Sequence, residues 1–223
     1  SCLRGVGVQR LKYLMDLNIG FDEVLKLNEA DFNQHKPLAN LDLKQQLFQL
    51  MNHKALHLKI EKTIIESNHI YSIFSDDYPN DLKHLKSPPI FLFCKGNTEF
   101  IKNRSIAIVG TRNISAYGKI VTFQLTELIV RAGFTIISGL AKGVDAVAHQ
   151  TCLQNSGKTI GVIATGLDQV YPAENRKLFE RIAEEGLLIS EHFHGTFADA
   201  PNFPKRNRII AGLSEAVLVT EAG

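Results

Sequence analysis

The chain has 223 residues, 44% of them apolar and 22% charged, a composition that excludes a disordered protein and allows one large domain, or a medium domain plus a small one. Its net charge is only +2, without the strongly basic balance of many dedicated DNA binders, so any surface for nucleic acid must be local. No apolar run is long enough to cross a membrane, no signal peptide opens the chain, and Cys2, Cys94 and Cys152 match neither a zinc site nor a disulfide framework; a cytoplasmic protein with reduced thiols, no metal and no membrane partner is expected.

Residues 1–66 read as helical. Leu11, Leu14, Met15 and Leu17 crowd the start, and Leu43, Leu47, Leu50 and Met51 recur at helical spacing. The segment resembles a small bundle of short helices. Residues 67–103 change character: Ile70–Phe74 and Ile90–Cys94 are β-prone and are separated by Tyr78-Pro79 and Ser87-Pro88-Pro89, so this bridge is expected to add a strand to the next domain.

From Ile106 the pattern becomes α/β. Short continuous apolar runs at Ile106–Val109, Thr135–Ile137, Thr159–Ala164, Leu187–Ile189 and Ala216–Val219 read as strands buried on both faces. Between them lie helical stretches. One carries Tyr117, Ile120, Val121, Leu125, Leu128 and Ile129 and stops at Gly133; the others contain Val144, Val147 and Ala148, run over about Asn175–Glu185, and run from Arg208 to Leu213. The alternation predicts an extended Rossmann-like, mostly parallel sheet with helices on both faces over residues 67–223, preceded by the small all-helical domain.

In such sheets ligands bind beyond the carboxyl ends of the strands. The strand exits read Gly110-Thr111-Arg112, then Ser138-Gly139-Leu140-Ala141-Lys142-Gly143, Thr165-Gly166, Ser190-Glu191 and Thr220-Glu221-Ala222-Gly223. Small residues there let a backbone approach a ligand, and free amides at the next helix start accept an anion. A tight turn needs glycine in any case, so the exits that add a cation, Arg112 and Lys142, are the more specific ones. No G-x-G-x-x-G turn, ribose-binding acid or P-loop is present, so no dinucleotide or other cofactor is expected.

A second concentration of charge is Lys205, Arg206 and Arg208, with Asn207 among them, directly before apolar Ile209-Ile210. Cations at a helix start oppose the macrodipole, and keeping them there points to an anion. Phe193, Phe197 and Phe203 lie in the loop leading to this cluster; they either pin the loop to the core or, for Phe197 and Phe203 especially, offer rings for base stacking beside phosphate-binding cations. Catalytic constellations are poor. Asp145 and His149 are spaced to pair on one helix face, Glu191, His192 and His194 lie near the crevice, and His35, His53, His57, His69 and His84 are scattered without metal spacing. At the amino terminus Gly5-Val6-Gly7 resembles the hairpin of a helix-hairpin-helix motif, with Arg4 where a proline is common; contact with DNA and a purely structural role are both open for it.

Four ordered motifs carry a family resemblance: Ile108-Val109-Gly110-Thr111-Arg112; Ser138 to Asp145 with His149; Thr165-Gly166-Leu167-Asp168 with Val170-Tyr171-Pro172 and Asn175; and Phe203 to Ser214. Over about Tyr71 to Gly223 the chain closely resembles the DNA-processing protein A family (DprA, also called Smf). The amino-terminal helices are similar to that family's more variable SAM-like or helix-hairpin-helix extension. The resemblance implies a non-enzymatic single-stranded DNA-binding protein that protects incoming strands during natural transformation, loads the RecA recombinase and forms a homodimer. It implies Arg112 and Lys142 as pocket cations, Lys205, Arg206 and Arg208 as lining or shaping the pocket, and Gly110, Ser138, Gly139 and Gly166 as points of close phosphate approach, beside Thr111, Gly143 and Asn207. The family continues past the last strand, so the chain reads as a fragment lacking the carboxy-terminal part. Two other readings stand beside this one: a nucleotide-processing enzyme of phosphoribohydrolase type with Glu191 or Asp145 as its acid, and a scaffold that recognises only protein partners.

Overall fold

The computed structural model describes Tyr13 and residues 53–222. The helical bundle and Gly-x-Gly hairpin expected before residue 53, with Cys2 and His35, lie outside the described residues, as does Gly223. The chain divides into two compact units, Ser1–Leu58 and Lys59–Gly223, and every strand of the sheet belongs to the second.

Helix α1 (Lys54–Glu66) leads into the antiparallel pair β1 (His69–Ser72) and β2 (Phe91–Gly96), which flank the short helix α2 (Asn80–Lys83). A 3-10 turn precedes β3 (Ser105–Val109), and then come α3 (Ala116–Arg131), β4 (Thr135–Ser138), α4 (Val144–Gln154), β5 (Thr159–Val162), α5 (Arg176–Glu185), β6 (Leu187–Ser190), α6 (Asn202–Gly212) and β7 (Ala216–Val219). The seven strands form one sheet in the order β1-β2-β6-β5-β4-β3-β7. The five strands from β6 to β7 are parallel; β2 runs antiparallel to β6. The bridge thus contributes two strands, where one was expected. β4, β5 and β6 are buried at every residue, which is why they read as unbroken apolar runs.

The sheet has a core on each face. Ile137, Ile160, Leu187 and Ile189 pack with Tyr71, Leu82, Leu92 and the Ile209-Ile210 pair of α6. Their strand neighbours Ile108 and Ile136 pack with Val144, Ala148 and Cys152 of α4, and Leu188 packs with Leu178, Phe179 and Ile182 of α5. Successive strand residues point to opposite faces, so α6 covers one face while α4 and α5 cover the other. Right-handed crossovers require this arrangement: β3 to β6 advance in one direction, whereas β7 returns to the far side of β3. The crevice beyond the strand ends near β3 is where such a reversal leaves room for a ligand.

Hydroxyl groups stitch the strands laterally. Ser138 donates to Ile108 O at 2.6 Å, Thr159 to Ile136 O at 3.1 Å, and Ser190 to Thr165 O at 2.6 Å. Cys94 and Cys152 are free and buried, and burial pushes both thiols up. Among the described residues no helix is long and apolar enough to cross a membrane.

Two elements differ from expectation. Helix α3 buries Gly118, Thr122 and Thr126 most deeply and turns Tyr117, Ile120 and Leu128 outward, so its apolar stripe lies only partly inward, with Val121 and Leu125 half-buried and Ile129 packed against the core. Its inner face is polar but satisfied: Thr126 donates to Thr122 O, and the hydroxyls of Thr122 and Thr220 bond at 2.7 Å. Helix α6 begins at Asn202, not at Arg208, which places Phe203 and the basic cluster inside the helix. Pro204 is tolerated because it sits in the first turn, where its missing N–H has no intrahelical partner to lose.

Candidate nucleic-acid interface

A cavity of about 310 Å³ opens at the carboxyl ends of β3 and β4. Its wall is built from Gly110 and Arg112 after β3, Ala141 after β4, Asp145 in the first turn of α4, one face of α6 (Phe203, Arg206, Asn207, Ile210, Ala211), and Val217 of β7. Of the residues singled out in the sequence, Gly110, Arg112, Asp145, Phe203, Arg206 and Asn207 therefore meet around one space. The others sit elsewhere. Lys142 is exposed and pairs with Glu174 Oε1 at 2.5 Å. Arg208 makes a two-pronged pair with Glu191, at 2.9 and 2.6 Å to its two oxygens. Lys205 is exposed, and Phe197 is exposed outside the cavity wall. Phe193 packs on Phe93 at 5.4 Å between ring centres, a core contact.

The strand-exit glycines are crowded by the protein itself. A Cβ on Gly139 would lie 2.4 Å from both terminal nitrogens of Arg206. Gly143 has φ +76°, and a Cβ there would lie 2.2 Å from Thr111 O. Gly166 abuts the Asp168 carboxylate and Phe193 O, and Gly110 abuts Glu221 O and Val144. The Ser138 hydroxyl is buried and spent on Ile108 O, while Thr111 Oγ1 accepts from Asn113 N at 3.2 Å. Leu140 adopts a left-handed backbone at φ 56°, and its carbonyl accepts from Asn175 Nδ2 at 3.0 Å, with the Ala141 carbonyl at 3.1 Å from the same group. Nothing in the spacing of Leu140 and Asn175 announces that tie.

Beneath the cavity lies a buried polar cluster. Arg206 is only 5% exposed. Its Nη1 donates to Gly139 O at 2.6 Å and to Val162 O, and its Nε donates to Asn207 Oδ1 at 3.2 Å. Burial lowers this guanidinium to about 10, with Asp145 acting against the shift and Arg112 with it, so it stays charged near neutrality. Asp145 Oδ2 accepts from the amides of Gly139 and Ala141, at 3.1 and 3.3 Å. Burial raises the Asp145 carboxyl, and the Arg206 charge opposes that rise. The pairing of Asp145 with His149 that their spacing allows is not formed. His149 bonds instead through Nδ1 to Thr159 Oγ1 at 2.7 Å, and burial followed by the Arg206 charge holds its imidazole down at about 3. Both acids of the enzymatic reading are engaged, Asp145 by amides and Glu191 by Arg208.

At the rim, planar groups gather. The Arg112 guanidinium lies 5.0 Å from the centre of the Phe203 ring, and Tyr171 lies 5.4 Å from the same ring at an interplanar angle of 50°. Tyr171 is 45% exposed and was legible only as part of a motif, with no pattern marking it as a site residue. Among the described residues neither Arg112 nor Lys205 has an acidic partner. A cation without an acidic partner beside aromatic rings is the arrangement that neutralises phosphate while bases stack.

Away from the cavity, Glu66 at the end of α1, Asp168 after β5 and His194 after β6 come together as potential metal-ligand types. His194 Nδ1 lies 2.9 Å from Glu66 Oε1 and 3.7 Å from Asp168 Oδ1, and the His194 amide donates to Thr63 Oγ1 at 2.8 Å. These contacts clasp α1 to two strand-exit loops.

Fold and site together define an α/β protein of Rossmann type whose strand-end crevice is walled by the Arg112 guanidinium and aromatic rings. The model of the DNA recombination-mediator protein A family matches residues 69–223, and the chain belongs to that family. Among curated relatives, the Smf protein of Synechocystis is 49% identical over 150 residues, covering 66% of this chain and 38% of its own length. The DNA processing protein DprA of Bacillus subtilis is 47% identical over 150 residues, 67% of this chain and 50% of its own. The chain thus spans half or less of these relatives. The X-ray structure of DprA from Streptococcus pneumoniae superposes with a TM-score of 0.72 at 33% identity, covering 94% of this chain and 76% of that one. DNA processing protein A from Helicobacter pylori, whose structure is described for its single-stranded DNA binding mode, superposes with a TM-score of 0.63 at 32% identity, over 69% of this chain and 70% of that one.

Proposed function

We propose that this chain carries a single-stranded DNA-binding layer and works in DNA processing during natural transformation as a binder, not an enzyme. The observation that carries the reading is Arg112, a cation without an acidic partner among the described residues, set against Phe203 and Tyr171 at the mouth of the strand-end cavity. Arg112 and Lys205 neutralise phosphates, Phe203 and Tyr171 offer stacking faces, and Gly110 and Asn207 shape the wall; Lys142 and Phe197 stand further out. The family membership and the Helicobacter pylori relative's DNA binding support the choice of polyanion. The engagement of Asp145 and Glu191 within the protein supports a non-catalytic role. Cytoplasmic action, delivery of strands to RecA and homodimerisation complete the proposal; the first rests on the cysteine pattern and the other two on the family resemblance.

Fluorescence anisotropy of a labelled oligo-dT against salt tests it. Log affinity falls with log salt, and Arg112→Ala makes the slope shallower by about 0.7, the value for one phosphate of a single strand. Salt-independent affinity, or a slope untouched in Arg112→Ala, refutes the reading. Release of free base from nucleoside monophosphates would favour the enzymatic alternative.

A further inference from the structure

Lys205, Arg206 and Arg208 look equivalent in the sequence, yet the structure gives each a different task. Lys205 is exposed, Arg208 is held by Glu191, and Arg206 points into the protein. We propose that Arg206 is a positioning residue and not a phosphate contact: its buried guanidinium locks the exits of β4 and β5 to α6, so that Phe203 meets Arg112 at the cavity rim. The proposal rests on the single-stranded DNA reading above for its functional consequence.

Three observations carry it. First, Gly139 and Val162, whose carbonyls accept from Arg206, lie one step beyond Ser138 and Gly161, the last pair of the β4–β5 ladder. Lateral backbone bonding between these strands has run out there, and the guanidinium extends it by one rung. Second, a Cβ on Gly139 would lie 2.4 Å from Nη1 and Nη2, so the glycine makes room for the arginine. No left-handed backbone is needed at that position, and the close contact alone accounts for the missing side chain. Third, Phe203 and Arg206 are three residues apart on α6 and share a helix face. Fixing Arg206 fixes the rotation of the helix about its axis, and with it the 5.0 Å approach of Phe203 to the Arg112 guanidinium. The Asp145 carboxylate, tied to the Gly139 and Ala141 amides, offsets the Arg206 charge, which leaves Arg112 and Lys205 as the cations offered to a ligand.

The test compares Arg206→Lys, Arg206→Met and Gly139→Ala with Arg112→Ala in the full chain, at a temperature where circular dichroism shows each variant folded. Lysine keeps the charge but has no planar fork to reach both carbonyls. Binding of labelled oligo-dT is read over roughly 50–300 mM salt, a range wide enough to define a slope. All three positioning variants bind about tenfold more weakly, the loss expected when charge-assisted hydrogen bonds are removed, with the slope of the parent protein. Arg112→Ala instead loses about 0.7 of slope. A merely structural arginine would lower the melting temperature and leave the affinity of the folded protein unchanged, so wild-type affinity in Arg206→Lys overturns the proposal. So does a slope loss in Arg206→Met equal to that of Arg112→Ala. If the parent protein shows no salt-dependent binding, the DNA reading fails on its own, and positioning is read from amide exchange without DNA. Faster exchange of the Gly139–Ala141 amides and of α6 in Arg206→Lys then supports it, and unchanged exchange overturns it.

Discussion

Phe203→Ala removes the planar centre of the cavity rim. The ring lies 5.0 Å from the Arg112 guanidinium and 5.4 Å from Tyr171, so its loss strips a stacking face and frees two neighbours at once. Stacking of one base on an aromatic side chain contributes about 1–3 kcal/mol. The cation–π contact with Arg112 adds about 0.5–1 kcal/mol at an exposed site, but it exists in the free protein too and largely cancels from a binding difference. The net loss is therefore set by stacking, a roughly five- to 150-fold weaker affinity for oligo-dT. No charge is removed, so the salt slope stays that of the parent protein. Phe203→Leu keeps apolar volume on α6 without a flat π-face; it should bind as weakly as alanine while melting closer to the parent. Anisotropy titrations at several salt concentrations, with thermal melts of each variant, decide the matter. Parental affinity in Phe203→Ala, or full recovery in Phe203→Leu, refutes stacking on this ring.

Three further outcomes are expected from the buried groups. Burial holds the His149 imidazole at about 3, below its usual 6.5, so the unfolded chain takes up that proton first as pH falls. Stability is then lost below pH 6.5 at a rate approaching about 1.4 kcal/mol per pH unit, down to the folded value. Urea unfolding of His149→Gln at stepped pH should show a slope shallower by that amount, and equal slopes in both proteins would refute the assignment. Glu191→Ala leaves a guanidinium partly buried, at 25% side-chain exposure, without its carboxylate. It should cost about 1–3 kcal/mol in chemical denaturation, part of it regained in Glu191→Ala with Arg208→Met; no cost in the single variant would mean the pair is idle. Gly143→Ala forces a side chain into φ +76° and against Thr111 O, a loss of at least about 1–3 kcal/mol measured as a lower melting temperature, and an unchanged melt would contradict the crowding described.

What the sequence made legible was set by burial symmetry. Strands buried on both faces, such as Leu187–Ser190 and Thr135–Ser138, show as unbroken apolar runs and were readable. Helix α6 was readable only in its second half, because Pro204 and three cations obscure the first turns that the structure places inside the helix. Helix α3 carried a clear periodicity, but periodicity reports that one face is apolar, not which face is inside. Here the threonine and glycine positions are the most deeply buried, and only part of the apolar stripe, Ile129 among it, reaches the core. Charge was legible and its direction was not: Lys205 and Arg206 are neighbours, and a turn of about 100° separates solvent from the sealed floor of the cavity. The clasp of Glu66 by His194 joins residues 128 positions apart, a distance no local pattern spans.

The hydroxyl stitches between strands bear on the thermodynamics of whatever docks at their ends. Ser138, Thr159 and Ser190 each bond to the carbonyl of a neighbouring strand or its exit, so the edge is braced from within before any ligand arrives. For a flexible polymer settling on such a braced edge, the backbone entropy lost on binding falls mainly on the polymer, and on the protein side it is the exposed rim side chains that still have freedom to lose. Stiffening the ligand, by biasing its stacked form at constant length, is then the change that strengthens the complex, whereas stiffening the protein further adds little.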